Sequence, residues 1–186
     1  EDINGQIGMS MPGYFGLITK RFMYATGTTP RDIAFPSWKN HKNGCLNPYA
    51  MYKKEFTIEE IVNSRVVSDP ITVYECCPTT DGAAAVILCS EAYARRFTTR
   101  MVRIACSKMM SSCYEDPAGD LIGFKMMRKL SSAVYEESGI GPEDLDCIEL
   151  HDAFSPEELW AYVDLGLCAA EDVAAFIRSG ATELGG

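Results

Sequence analysis

Two histidines, His41 and His151, are the only imidazoles in this chain of 186 residues, so acid–base chemistry near neutral pH narrows to two positions. His151 stands in Ile148-Glu149-Leu150-His151-Asp152-Ala153-Phe154-Ser155-Pro156-Glu157-Glu158, where an apolar run gives way to helix-start residues. That places it between the carboxyl end of a strand and the N-terminus of a helix, which is where ligands bind in open α/β sheets. The helix start adds free amides and partial positive charge, which favour an anion or a developing oxyanion. On spacing alone, a structural histidine is the competing reading. Asp152 is adjacent in sequence and need not face the same way, so the dipeptide implies no His-Asp relay. His41 lies in the Lys/Asn-rich stretch Asn40 to Tyr49, which reads as a loop, and there it reads as a surface residue.

The other chemistry-bearing residues point less sharply. The eight cysteines, at positions 45, 76, 77, 89, 106, 113, 147 and 168, sit mostly in apolar surroundings and form no Cys-x-x-Cys pair. They read as buried free thiols in a reducing compartment, and no metal site is expected. Asp81-Gly82-Ala83-Ala84-Ala85 puts small residues after a turn, so a helix or a ligand packs closely there. It is not a phosphate-binding P-loop, because no Gly-Lys-Ser/Thr follows. The Met109-Met110 and Met126-Met127 pairs read as core fillers.

These residues need a scaffold, and composition says one is affordable. With 47% hydrophobic and 23% charged side chains the chain is not disordered, and at this size one core forms without staples or metals. No apolar run approaches the ~18 residues of a membrane span. Net charge is −9, unevenly placed: residues 1–135 carry a net +3, and residues 136–186 carry a net −12, with Arg178 the sole cation. A basic nucleic-acid footprint is absent, although the first part could meet a small phosphate-bearing ligand. The acidic last third reads as helix starts and solvated surface. With no initiator Met and a Leu184-Gly185-Gly186 end, the expectation is a fragment.

Thr29-Pro30-Arg31-Asp32 opens a helix toward Trp38 that Pro36 should kink or interrupt, and Thr57-Ile58-Glu59-Glu60 is a capping box for a short helix to about Ser64. Ile71 to Cys77 is β-rich. Ala83 to Leu88 is an apolar run read as a strand before a helix at Glu91 to Phe97, N-capped by Ser90. Met101 to Cys106 and Cys147 to Leu150 are further strand candidates. Phe124 to Ser138 is a helix with Phe124, Met127, Leu130 and Val134 on one face and Gly139 as its cap. Ser155-Pro156-Glu157-Glu158 starts a helix to Leu165, and a last helix lies near Glu171 to Arg178, capped by Gly180. Helices alternating with apolar strands imply a layered α/β fold.

Four motifs in order, Asn40-His41-Lys42-Asn43-Gly44 with Asn47-Pro48-Tyr49-Ala50, Cys76 to Ala85, Glu149-Leu150-His151-Asp152-Ala153-Phe154, and Gly180 to Gly186, resemble the thiolase superfamily. The His-Asp-x-Phe form is similar to the branch of the sterol carrier protein thiolases and their bacterial lipid-transfer relatives. The resemblance implies a layered αβαβα fold of about twice this length. In it, residues 1–70 would be the CoA-side loop region of the N-terminal half and 71–100 the last strand and helix of that half. Residues 101–186 would start the C-terminal half.

By the same resemblance the chemistry is carbon–carbon bond cleavage or formation on an acyl-CoA of lipid-like or bulky acyl groups, with coenzyme A as substrate and no covalent cofactor. His151 would donate a hydrogen bond to the thioester oxygen or position a water that does. Phe154 would line the acyl pocket, and Cys77 would approach the pantetheine. The family's Gly-His-Pro and Cys-x-Gly are missing, and no cysteine matches the nucleophile; by the family's order these would precede Glu1 or follow Gly186. The resemblance leaves two alternatives open: a retro-aldolase of CoA-linked steroid side chains with a small OB-fold and zinc-containing partner, and a noncatalytic acyl-CoA or lipid-binding subunit. It also implies a homodimer or higher oligomer, without nucleic acid or membrane span, in the bacterial cytoplasm or a eukaryotic peroxisome.

Overall fold

The computed structural model describes residues 3–111 and 123–186; Cys113 lies outside them. The helices are α1 (Ile3–Gln6), α2 (Met11–Thr26), α3 (Pro30–Gly44), α4 (Ile58–Val62), α5 (Glu91–Ala94), α6 (Lys125–Ser138), α7 (Pro156–Asp164) and α8 (Val173–Arg178). Strands β1 (Val66–Ser68) and β2 (Ile71–Thr72) form a small antiparallel hairpin.

α2 starts where Ser10 caps the Gly13 N–H, with Pro12 in the first turn, and stops at Gly27, whose φ of 71° is the left-handed conformation glycine adopts most cheaply. Its Phe15, Ile18 and Phe22 recur at helical spacing and pack onto α7. The Phe15 ring stacks on Trp160 at 5.6 Å, and Phe22 and Phe124 approach the same indole at 6.3 and 5.7 Å. Ile33 of α3, Ile71 of β2, Leu159 of α7, and Val173 and Ile177 of α8 complete this core. A smaller cluster of Ala34, Phe56 and Ile61 joins α3 to α4.

α3 is one continuous helix through Pro36 to Gly44, so the expected interruption is absent and His41 lies on a helix instead of a loop. A strong start compensates for the missing proline N–H: Thr29 and Asp32 form a capping box. Arg178 of α8 then forks onto Asp32, with Nε and Nη2 each 2.7 Å from a carboxylate oxygen. The box at Thr57 and Glu60 likewise opens α4 as expected.

α6 matches the expected span and ends at Gly139 in the left-handed conformation. Its apolar stripe is only half-buried, and polar contacts join α6 to α7. Asp164 accepts from the Phe124 N–H and Arg128 Nε, both at 2.7 Å, and the Tyr135 hydroxyl donates to the Leu165 carbonyl at 2.9 Å. Part of the acidic last third is therefore buried and paired rather than solvated.

The expected strands differ most. Ile71 to Cys77 yields only the two residues of β2, then a 3₁₀ turn over Val73–Glu75. Ala83–Leu88, Met101–Cys106 and Cys147–Leu150 form neither strand nor helix among the described residues. A strand exists only where a neighbour accepts its ladder of N–H and C=O groups, and the described residues offer these segments none.

Candidate functional site

The His151 segment is fixed by a single bridge of β type between Cys76 and Phe154. The Cys77 N–H donates to the Ala153 carbonyl at 3.1 Å and the Ser155 N–H to the Glu75 carbonyl at 2.9 Å. Ser155 does not cap α7: its own backbone is helical, and its hydroxyl donates to the Ile33 carbonyl of α3 at 3.1 Å. Phe154 is buried at 7% exposure, its ring 4.5 Å from Phe15, and anchors the turn in the core. The turn thus brings Cys77 beside Phe154 through its backbone, while His151, two residues before Ala153, is exposed and is not among the residues lining the adjacent cleft.

Beside this turn is an open cleft of about 260 Å³ between α3 and the Cys76–Phe154 bridge. Asn40, His41, Tyr52, Glu75, Cys77 and Asp152 contribute to its walls. His41 is half-buried at its edge, against the rings of Phe56 and Tyr52, and burial lowers its pKa. Burial pushes Glu75 up to about 7, against two hydrogen bonds from Thr72. Burial, then the charge of Glu158, pushes Asp152 up to about 6.

A polar network behind the cleft escaped sequence reasoning. Lys39 and Glu158, 7% and 6% exposed, form an ion pair between α3 and α7, and the Tyr162 hydroxyl donates to the same carboxylate oxygen. The Asn40 amide donates to Glu158 Oε2 at 3.1 Å and to Asp152 Oδ2 at 3.3 Å. Asp152 therefore faces Asn40 and the cleft. The available signal was weak: Lys39 recurs with Asp32, Phe35 and Pro36 at three- and four-residue steps on one helix face, but lysine on such a face normally reaches solvent.

Two of the thiols are pushed away from ionisation. Burial, with the charge of Glu75 and Cys77 behind it, pushes Cys76 up to about 11, and burial does the same to Cys168. Among the described residues no group of three or more His, Cys, Asp or Glu could hold a metal ion, and no helix is long and apolar enough to cross a membrane.

Residues 108–186 match the family model described as thiolase C-terminal domain-like. The benzoylsuccinyl-CoA thiolase subunit BbsB of Thauera aromatica is 41% identical over all of this chain and 48% of its own length. Human sterol carrier protein 2 is 39% identical over 94% of the chain and 33% of its own length. A solved structure described as an Ltp2-ChsH2(DUF35) aldolase superposes with a TM-score of 0.78 at 26% identity, covering 97% of this chain and 49% of that one. The chain spans a third to a half of the length of these relatives. Its helices and small sheet are part of a thiolase-like α/β fold, and the chain resembles proteins of the thiolase superfamily along its whole length.

Proposed function

We propose that the polypeptide containing this chain is an acyl-CoA C-acyltransferase, cleaving or forming a carbon–carbon bond of a 3-oxoacyl-CoA with lipid-like or bulky acyl groups. The observation that carries this reading is the placement of His151: it is exposed, next in sequence to the cleft residue Asp152, on a turn pinned to Cys77, in a chain 41% identical throughout to a thiolase subunit. His151 donates a hydrogen bond to the thioester oxygen, directly or through a water, where negative charge develops. Cys77 borders the pantetheine, and Phe154 backs the acyl side from the core. The nucleophilic cysteine comes from another part of the polypeptide, since none of the cysteines here stands in the family's nucleophile motif.

Residues 1–70 supply the CoA-side loops, 71–100 close the N-terminal half, and 101–186 begin the C-terminal half. Coenzyme A is substrate rather than bound cofactor. The active form is a homodimer or higher oligomer.

The aldolase superposition favours a second reading, retro-aldol cleavage of a CoA-linked steroid side chain with a small OB-fold and zinc-containing partner. The complete polypeptide, given 3-oxoacyl-CoA and free CoA, should consume both and yield two thioesters. A carbonyl product from a 3-hydroxyacyl-CoA, without use of free CoA, would select the aldolase reading. CoA binding with neither turnover would overturn both and leave a noncatalytic acyl-CoA-binding subunit. His151→Ala should lower kcat by about 10²–10³, as loss of an oxyanion donor does; an unchanged kcat removes His151 from the site.

A further inference from the structure

The walls of the cleft beside the Cys76–Phe154 bridge carry acids and no compensating cation. Glu75, 4% exposed, and half-buried Asp152 both stand in them, and among the described residues lining the cleft there is no lysine or arginine. Lys39 is engaged behind the wall: its ammonium pairs with Glu158 Oε1, while Glu158 Oε2 accepts the Asn40 amide at 3.1 Å. The same amide nitrogen donates to Asp152 Oδ2 at 3.3 Å, so Asn40 ties the cleft carboxyl to a carboxylate that already holds the cation. Further along, Lys42 pairs with Glu183, Lys53 donates to the Pro48 carbonyl, and Lys54 lies over the ring of Phe56.

We propose that Glu75 and Asp152 make the cleft selective for uncharged acyl groups, so that a thioester whose acyl chain ends in a carboxylate is excluded by like charge. This rests on the acyl-CoA reading above, in which Cys77 and Phe154, at the bridge, border the substrate. An anion entering the cleft leaves water without gaining a cation, and repulsion between partly buried charges is weakly screened. A neutral chain meets neither cost. The exclusion follows the ionisation of the two acids. Asp152 is faced by Glu157 and Glu158 of α7 and by Lys39 and Asn40 of α3, and burial, then Glu158, pushes it up to about 6. Glu75 is faced by Thr72 and Cys76, and burial pushes it up to about 7. Burial lowers the pKa of His41, so no imidazolium forms beside them near neutrality. At pH 8 both acids are charged. At pH 5.5 both are mostly protonated, while an ordinary acyl carboxylate, with a pKa of about 4.5, is still ionised.

The complete polypeptide is given two 3-oxoacyl-CoA thioesters of equal length, one ending in a methyl group and one in a carboxylate. At pH 8, kcat/KM should favour the methyl-ended thioester by about 10-fold or more, as juxtaposed like charges do. Lowering the pH to 5.5 should narrow that ratio. Asp152→Asn, which keeps an oxygen for the Asn40 amide and removes the charge, should narrow the ratio at pH 8 and weaken its dependence on pH. Glu75→Gln should act in the same direction, and carries the comparison if Asp152→Asn fails to fold. Equal kcat/KM for the two thioesters in the wild type, or a ratio that neither variant narrows, would overturn the proposal. If neither thioester is turned over, the acyltransferase reading falls. The affinities of the same two thioesters, measured by calorimetry in the wild type and both variants, then decide the exclusion by the same criteria.

Discussion

Residues 151–155 and residues 78–89 are both irregular, yet they are held in opposite ways. The first stretch is pinned by bonds to Cys77, Glu75, Ile33, Glu157 and Asn40, and its Phe154 is buried. In the second, no hydrogen bond is made among the described residues, and Ile87 and Leu88 stand 94% and 72% exposed. Val102 and Ile104, further along, are 99% and 61% exposed. Apolarity alone therefore fixes nothing: the His151 turn owes its definition to partners on α2, α3 and α7, and the more apolar run has none among the described residues.

The strongest way to break this contrast is to attack the pinned region from behind. Lys39→Met leaves the buried Glu158 carboxylate unpaired and should cost about 3–5 kcal/mol in urea unfolding, whereas Lys39→Met with Glu158→Leu should recover most of that. Failure of the double variant to recover would mean that the pair does more than neutralise itself. Phe15→Ala, which removes the ring behind Phe154, should cost about 3–5 kcal/mol. Val102→Ala in the unpinned region should stay within about 0.5 kcal/mol, as exposed substitutions do. A comparable loss from Val102→Ala would mean that this run is packed after all.

A pH series sharpens the contrast further. Burial raises Glu75 to about 7, so the folded state favours its neutral form. That contribution is fully present below about pH 4.5 and is lost as pH rises through about 7, a difference on the order of 3 kcal/mol. Glu75→Gln should flatten the stability profile between pH 5 and 8, measured by urea midpoints; an unchanged slope would assign the titration elsewhere. At Gly16 an added Cβ would lie 2.6 Å from Ser68 Oγ and 3.1 Å from the Ser68 carbonyl, so Gly16→Ala should cost about 1–3 kcal/mol by forcing α2 off the hairpin. The smallest effect is kinetic: a thiol reagent should label exposed Cys77 and Cys89 before half-buried Cys76 and Cys168.

Local signals were legible wherever the physics is local. The helix start at Thr29, the capping box at Thr57, the Ser90 cap and the glycine stops at Gly139 and Gly180 all stand where spacing put them. α2 was readable but overlooked: Ser10 and Pro12 announce its start, and Phe15, Ile18 and Phe22 give its face. The strands were not readable as formed elements, because a run such as Ala83 to Leu88 states a preference that only a neighbour can satisfy. The site was half legible. Cys77 and Phe154 meet through the bridge between their segments, while the Glu157 bond that closes the His151 turn and the buried Lys39 depend on how the helices pack.

Three contacts of that crossing span most of the chain: Lys39 with Glu158, Ser155 with Ile33 and Arg178 with Asp32, separated by 119, 122 and 146 residues. At a synthesis rate of about 5–20 residues per second, α3 would wait roughly 6–30 s on the ribosome before α7 and α8 exist to meet it. Through that interval the face of α3 carrying Asp32 and Lys39 lacks the Arg178 and Glu158 that later pair with it. A lysine there keeps the waiting surface wet and discourages association with another nascent chain, until Glu158 arrives to neutralise it.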